Sequence, residues 1–387
     1  MKKIAKNVLH SGSRVWVEGV PDTCVGTEWD MGLRALAAGI EYLTQRPVDF
    51  DEMLVLSGDA CAAMASDVYQ DRSYLAASIN VMSEGAKAYG FDGKWEFPES
   101  FDAARQIVAS EINAGRPVPA GGAAQPYGCC PWGLITGYDT QRAWFCFAGY
   151  DPGGGTRWMD VRGDCGEQTT GPWNGCVRGL LGQEDGFWKE RPLFTLGVRR
   201  RAATRGHQTA AIRAARMHAL KLAAQALAPA SHRINECGGV TYLMGMTAVD
   251  FLATTMRDFE YSVLKDMQSP QDAQGWWKVP EVLRASTNLI MRGRRAAARV
   301  FRRWARDSRT FKPLLDIVPR LEDAAECAEV LWTDLMPPLT QAGQPAPQEP
   351  APRPIEQPGW GSNAAEQFRR IMEADRECLR VLENFVQ

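Results

Sequence analysis

The sequence predicts an α+β fold in the N-terminal half of the chain and an all-helical fold in the C-terminal half. Three observations support this division. Amphipathic helical patterns come first, short apolar segments punctuated by Gly, Pro and Asp follow, and the chain after about residue 204 has a helical pattern. We therefore expect an antiparallel sheet beside a helical layer, followed by an all-α domain.

Three helices are predicted before the sheet, over residues 29–45, 52–66 and 99–114. In the first, apolar residues recur at three- and four-residue steps from Leu33 to Leu43, and Asp30 is suited to cap its start. The second is interrupted by Ser57 and Gly58. Gly115 is expected to end the third helix, because glycine is common just after the last helical turn.

Strands are predicted where aromatic and β-branched residues form short runs between turn residues. These runs cover residues 117–120, 132–138, 143–147, 175–181 and 193–196.

The C-terminal half has the pattern of a helical domain. Candidate helices cover residues 208–227, 240–267, 280–306 and 314–335. A segment with eight prolines follows and is expected to be an extended linker, and the apolar stripe of the last helix needs a partner surface. The predicted domains are 1–198 (α+β), 199–336 (helical), 337–361 (Pro-rich linker) and 362–387 (a helix docking on the helical domain).

Composition limits the classes of protein and site. The chain has 387 residues, 45% hydrophobic and 23% charged, which is ordinary for a globular protein. No apolar run follows the N-terminal lysines and no stretch of about 18 apolar residues occurs, so a cytoplasmic protein without a membrane span is expected. The ten cysteines include no Cys-x-x-Cys pair and there are four histidines, so no metal site and no cofactor are expected.

Charge is distributed unevenly along the chain. Residues 1–192 carry 17 Lys and Arg against 25 Asp and Glu, whereas residues 193–387 carry 27 against 21. The basic stretch at 284–312 would attract nucleic acid or an acidic carrier protein. Pairing with the acidic residues of 316–334 is the simpler interpretation, and the overall net charge of −2 argues against a dedicated nucleic-acid binder.

A family resemblance rests on several motifs in order. They are residues 26–36 (GTEWDMGLRAL), 54–60 (LVLSGDA), 115–118 (GRPV) and 132–139 (WGLITGYD). Together they resemble the butirosin biosynthesis protein H N-terminal-like family, over roughly residues 15–190. That family is similar to the papain-like bacteriocin-processing cysteine peptidases, so the resemblance implies a papain-like N-terminal domain.

The resemblance also implies an activity, acyl transfer from a carrier-protein thioester to an amine. In competent relatives a Cys begins the first long helix, a His begins the strand that ends in Gly-Tyr-Asp, and an Asp or Asn orients that His. In this chain the Cys position falls at about Met31 and the His position near Pro131. Asp139 and Asp151 occupy possible orienting positions, but no histidine lies between His10 and His207.

Other residues near the expected cleft are candidates with competing interpretations. Cys24 is either a displaced nucleophile or an ordinary loop thiol. Cys129 and Cys130 are a reactive pair, a vicinal disulfide or small buried fillers. Several candidate ligand-binding residues also have a structural interpretation, namely capping by Asp30, packing by Trp29 and a turn at Asp139. The candidate ligand-binding residues are Glu28, Trp29, Asp30, Met31, Cys130, Trp132 and Asp139.

Two functions follow from this pattern. The first is a catalytically degenerate papain-like domain that binds a small molecule or a peptide-like group in its cleft. The second is a cysteine-dependent acyltransferase or amide hydrolase that uses Cys24 with His10 or a histidine of the helical domain. An acidic carrier protein held by the basic stretch is a third expectation.

Overall fold

The computed structural model describes residues 7–21, 31–66, 79–121, 132–142, 144–148, 156–160, 193–197, 205–234, 240–257, 279–335 and 359–386. The chain divides into two compact units. Unit 1 contains residues 1–53 and 82–204, and unit 2 contains residues 54–81 and 205–387. Unit 2 is therefore discontinuous in sequence, which the contiguous ranges predicted above did not anticipate.

The described elements follow one another along the chain as strands, helices and two 3-10 helices. They are β1 (Val8–Ser11), β2 (Arg14–Val17), α1 (Met31–Thr44), α2 (Phe50–Leu56), a 3-10 helix (Asp59–Cys61), β3 (Met64–Ser66), α3 (Val81–Ala88), β4 (Gly93–Glu96), α4 (Phe101–Asn113), β5 (Val118–Gly121), β6 (Trp132–Asp139), β7 (Trp144–Ala148), β8 (Thr156–Asp160), β9 (Leu193–Leu196), α5 (Arg205–Leu227), β10 (Ala230–Ile234), β11 (Val240–Met244), α6 (Met246–Arg257), α7 (Val279–Asp307), a second 3-10 helix (Arg309–Asp316), α8 (Val318–Leu335) and α9 (Trp360–Val386).

Unit 1 is an α+β structure built on an antiparallel sheet of eight described strands. β6 is its shared member. One edge of β6 pairs with β7, and the other edge pairs with β5 at its beginning and with β2 at its end. β1 extends the sheet beyond β2, β8 extends it beyond β7, and β9 and β4 extend it beyond β5. The predicted combination of helices with an antiparallel sheet is confirmed at this level.

Two helices cover residues of β6. Leu134 packs with Ala35 and Ala38 of α1, whereas Ile135 and Tyr138 belong to the apolar cluster that contains α4. Residues three apart would normally point to opposite faces of a strand. The register against β7 shifts between Ile135 and Gly137, and this irregularity brings Ile135 and Tyr138 into the same cluster.

The predicted helices of unit 1 are largely present, with one correction. α1 and α4 match the helices expected at 29–45 and 99–114, and Ser100 caps α4 by accepting a hydrogen bond from the Ala103 amide at 3.2 Å. The helix predicted over 52–66 is wrong beyond Leu56. Gly58 adopts φ 84°, and a 3-10 helix and β3 follow. The β1–β2 hairpin was not predicted, and the strand expected at 175–181 lies outside the described residues.

Unit 2 is mainly helical but also contains a three-stranded antiparallel sheet in the order β10–β11–β3. The expectation of an all-α C-terminal domain is therefore wrong. The single helix predicted over 240–267 begins instead as β11, where Val240, Thr241 and Tyr242 favour a strand. Gly245 then turns the chain with φ 57°, and a Cβ atom there would lie 2.2 Å from the Ala228 carbonyl oxygen, so only glycine fits.

Three long helices of unit 2 pack lengthwise. The second 3-10 helix joins α7 to α8, and the pairs Arg302–Glu322 and Arg295–Glu329 show that these helices run antiparallel. α9 contacts α5, α6 and α8. Its buried stripe includes Phe368 and Ile371, so the apolar face of the last helix is covered within unit 2. The predicted linker at 337–361 lies almost entirely outside the described residues.

A buried ion pair fastens the early segment of unit 2 to its late helices. Arg294 of α7 donates two hydrogen bonds to Asp375 of α9, at 2.9 and 2.7 Å, and both side chains are at most 1% exposed. The remaining Nη1 of Arg294 donates to the carbonyl oxygens of Ala60 and Ala62, at 2.9 and 3.3 Å. Burial opposes the charged form, but the neighbouring Asp375 raises the pKa of Arg294.

The close approach around this pair requires a small residue. A Cβ atom at position 293 would lie 2.5 Å from the Ala60 carbonyl oxygen, which only glycine avoids. Residues 60–62 therefore sit directly against α7, and the guanidinium group satisfies their carbonyl groups.

We predict that Asp375→Ala destabilises unit 2 by about 3–5 kcal/mol, because it leaves the buried guanidinium without its counter-charge. Urea unfolding followed by circular dichroism measures this change. The double variant Arg294→Met, Asp375→Leu removes both charges and is expected to lose less stability than the single variant.

The matched control is Glu322→Gln, which breaks the partly exposed pair with Arg302. Its cost is expected to stay below about 1 kcal/mol, as is usual for surface pairs. Equal losses in Asp375→Ala and Glu322→Gln would contradict a special role for the buried pair.

Candidate functional site

The structure covers the predicted site residues unevenly. Cys24, Glu28, Trp29, Asp30 and Cys130 lie outside the described residues, as do Cys129 and Asp151. Met31 is the first residue of α1 and Trp132 is the first residue of β6. Asp139, the last residue of β6, is described in full and is 1% exposed.

The first half of α1 and the beginning of β6 lie together. Ala35, one turn into α1, shares a buried cluster with Leu134, and the same cluster contains Ala38 of α1 and Ala148 of β7. These alanines are small, so the helix approaches the sheet closely. The resemblance assigns a nucleophile to Met31, which begins α1, and a base to Pro131, which directly precedes β6 in the sequence, and these two elements pack against one another.

Asp139 has a structural role in the described residues. Its carboxylate accepts hydrogen bonds from the Ser13 hydroxyl at 3.0 Å and from the amides of Gln141 and Arg142 at 2.8 and 3.0 Å. Arg14 lies 3.8 Å away. The side chain thus closes the turn after β6 and ties it to the β1–β2 hairpin.

The pKa of Asp139 reflects these partners. Burial alone would raise the pKa of the carboxyl group, but the hydrogen bonds from Gln141, Arg142 and Ser13, together with the charge of Arg14, bring it below its ordinary value. The group is ionised at neutral pH, and its hydrogen bonds go to the turn and the hairpin. This arrangement favours the turn interpretation of Asp139 over a role as the orienter of a histidine.

The described cysteines are free and buried, and they are Cys61, Cys146, Cys327 and Cys378. Burial raises the pKa of the Cys61 thiol to about 11 and also raises the pKa values of Cys327 and Cys378. A nucleophilic cysteine needs the opposite shift, because the thiolate is the reactive form. Among the residues that the structure describes, no thiol has the environment of a nucleophile.

The histidine of unit 1 lies away from the beginning of α1. His10 is exposed on β1, where it faces Val15, and Val15 in turn faces Tyr138 near the end of β6. Leu134, which α1 covers, is four residues earlier, or roughly 13 Å along an ideal strand.

Arginine residues of the basic stretch form ion pairs with acidic residues of unit 2. Arg302 donates two hydrogen bonds to Glu322 of α8, at 2.5 and 2.6 Å, and Arg295 donates to Glu329 of the same helix at 2.5 Å. These contacts favour the internal pairing considered above. Binding of an acidic carrier protein to this stretch stays a prediction.

Metal sites and membrane-spanning helices were both considered in the described residues. Within them, no group of three or more His, Cys, Asp or Glu side chains is arranged to hold a metal. In the same part of the chain, no helix combines the length and the apolar character needed to cross a bilayer.

Sequence reasoning missed the partner of Asp139, because Ser13 is 126 residues away and lies in an unpredicted hairpin. The available signal was the pair of strand-like segments on either side of Gly12, whose turn residues Ser11, Gly12 and Ser13 suit a hairpin.

We predict that Asp139→Asn destabilises unit 1 by about 1–3 kcal/mol, because the amide cannot accept all three hydrogen bonds with the same strength. The low pKa of Asp139 in the folded protein means that its ionisation stabilises the fold above the ordinary carboxyl pKa. This stabilisation is lost as the pH falls through the folded-state value.

Urea unfolding at neutral pH and below about pH 4 separates the two effects. The difference in stability between the native chain and Asp139→Asn is expected to shrink at the lower pH. Ser13→Ala, which removes one donor, serves as the milder comparison. A difference that does not change with pH would contradict the assignment.

Comparison with known proteins adds no relative from which residue roles could be transferred. No protein-family model matches the sequence, and no curated protein matches it significantly. The family resemblance therefore stays a prediction that depends on the motifs quoted above.

Proposed function

We propose that the N-terminal domain is a catalytically degenerate papain-like domain, related to the butirosin biosynthesis protein H N-terminal-like family, that binds a small molecule or a peptide-like group in its cleft. The observation that supports this proposal most directly is the packing of Ala35 and Ala38 against Leu134. It brings the first half of α1 against the beginning of β6, and papain-like enzymes carry their nucleophile and base on the corresponding elements.

The residues at these positions cannot perform cysteine chemistry. Met31 begins α1 and carries a thioether, which has no ionisable proton, and Pro131 precedes β6 and has no titratable side chain. A positive helix N-terminus lowers the pKa of a thiol placed there, but it has no comparable group to act on at Met31. The cleft keeps its frame without its reactive pair.

The alternative, an acyltransferase or amide hydrolase that uses Cys24, receives no support from the described residues. It needs an imidazole within hydrogen-bond reach of the thiol. His10 is aligned with the end of β6 rather than with its beginning, and the thiols of the described residues are buried.

The first test introduces a nucleophile at position 31 and a base at position 131. We predict that the thiol introduced by Met31→Cys has a lower pKa when Pro131→His is also present, by about one unit or more, because an adjacent imidazolium favours the thiolate. The pH dependence of iodoacetamide labelling, read by peptide mass spectrometry, measures this shift.

The matched control combines Met31→Cys with Gln141→His, which adds a histidine to the exposed turn at the far end of β6. No shift is expected there. An equal thiol pKa in Met31→Cys alone and in both double variants would show that positions 31 and 131 are not neighbours and would remove the basis of the proposed cleft.

Binding is tested with the Met31→Cys variant. Excess N-acetylglycylglycinamide, a neutral peptide-like probe, should slow labelling of the introduced thiol.

The second test addresses the native thiols. We predict that Cys24 reacts with iodoacetamide no faster than an exposed model thiol between pH 6 and 9, because an unpaired thiol keeps its ordinary pKa of about 8.5. Cys24→Ser identifies the labelled peptide. Fast labelling of Cys24 at low pH would overturn the degenerate assignment in favour of the enzyme.

A further inference from the structure

No further inference is drawn: the strongest candidate, the partly exposed surface patch of Trp16 and Trp158 on the antiparallel sheet of unit 1, where the two rings meet edge to face at 6.3 Å, carries no proposal because nothing in the described residues shows what covers it.

Discussion

The organisation of unit 1 depends on the pairing of β6 along both of its edges. β7 pairs with one edge of β6, and β5 and β2 divide the other edge, so three separate parts of the chain are held by one strand. Alternate side chains of the same strand bind different helices, with Leu134 against α1 and Ile135 against α4. Because Leu134 and Ile135 are adjacent in the strand, a slip of one residue in this part of β6 would exchange the two faces and separate α1 from the sheet.

Local patterns predicted the elements whose stability comes from periodic apolar contacts. α1, α4, β6 and the long helices of unit 2 match the expected segments to within a few residues. The secondary-structure predictions were wrong where pairing with a distant segment determines the local structure. β3 is a strand because it pairs with β11, some 180 residues later in the chain, and the pattern of residues 52–66 alone resembles a helix.

The same distinction explains what could be predicted of the candidate site and of the local structure beside α1. The absence of a Cys and a His at the two positions that the resemblance assigns to them follows directly from the residue types at Met31 and Pro131. A small cavity beside α1, lined by Arg34, Ala37, Ala38, Glu41 and Phe50 among others, was not predicted, because Ala37 and Ala38 belong to the apolar face of α1 in any helical pattern. Only the reversal at Gln45, a residue type that seldom has positive φ, turns part of that face into a floor.

Arginine residues of the same basic stretch have different structural roles in unit 2. Arg294 is fully buried and bonded to Asp375 and to two carbonyl groups, whereas Arg302, two turns later, is partly exposed and faces Glu322. The first contact connects segments 81 and more than 230 residues apart, so its removal affects the assembly of unit 2. The second is a partly exposed pair in which the two opposite charges offset each other.

The described contacts also explain how unit 1 can keep its fold without catalytic groups. The cluster that joins α1 to the sheet consists of aliphatic side chains, and Asp139 bonds to the turn and the hairpin rather than to a base. No contact in this set requires a thiol at position 31 or an imidazole at position 131. The catalytically degenerate domain proposed above therefore needs neither group to keep the register of β6 and the position of α1. The proposal of a binding role without catalysis is compatible with these contacts, because the residues that pack α1 against the sheet differ from the residues at positions 31 and 131.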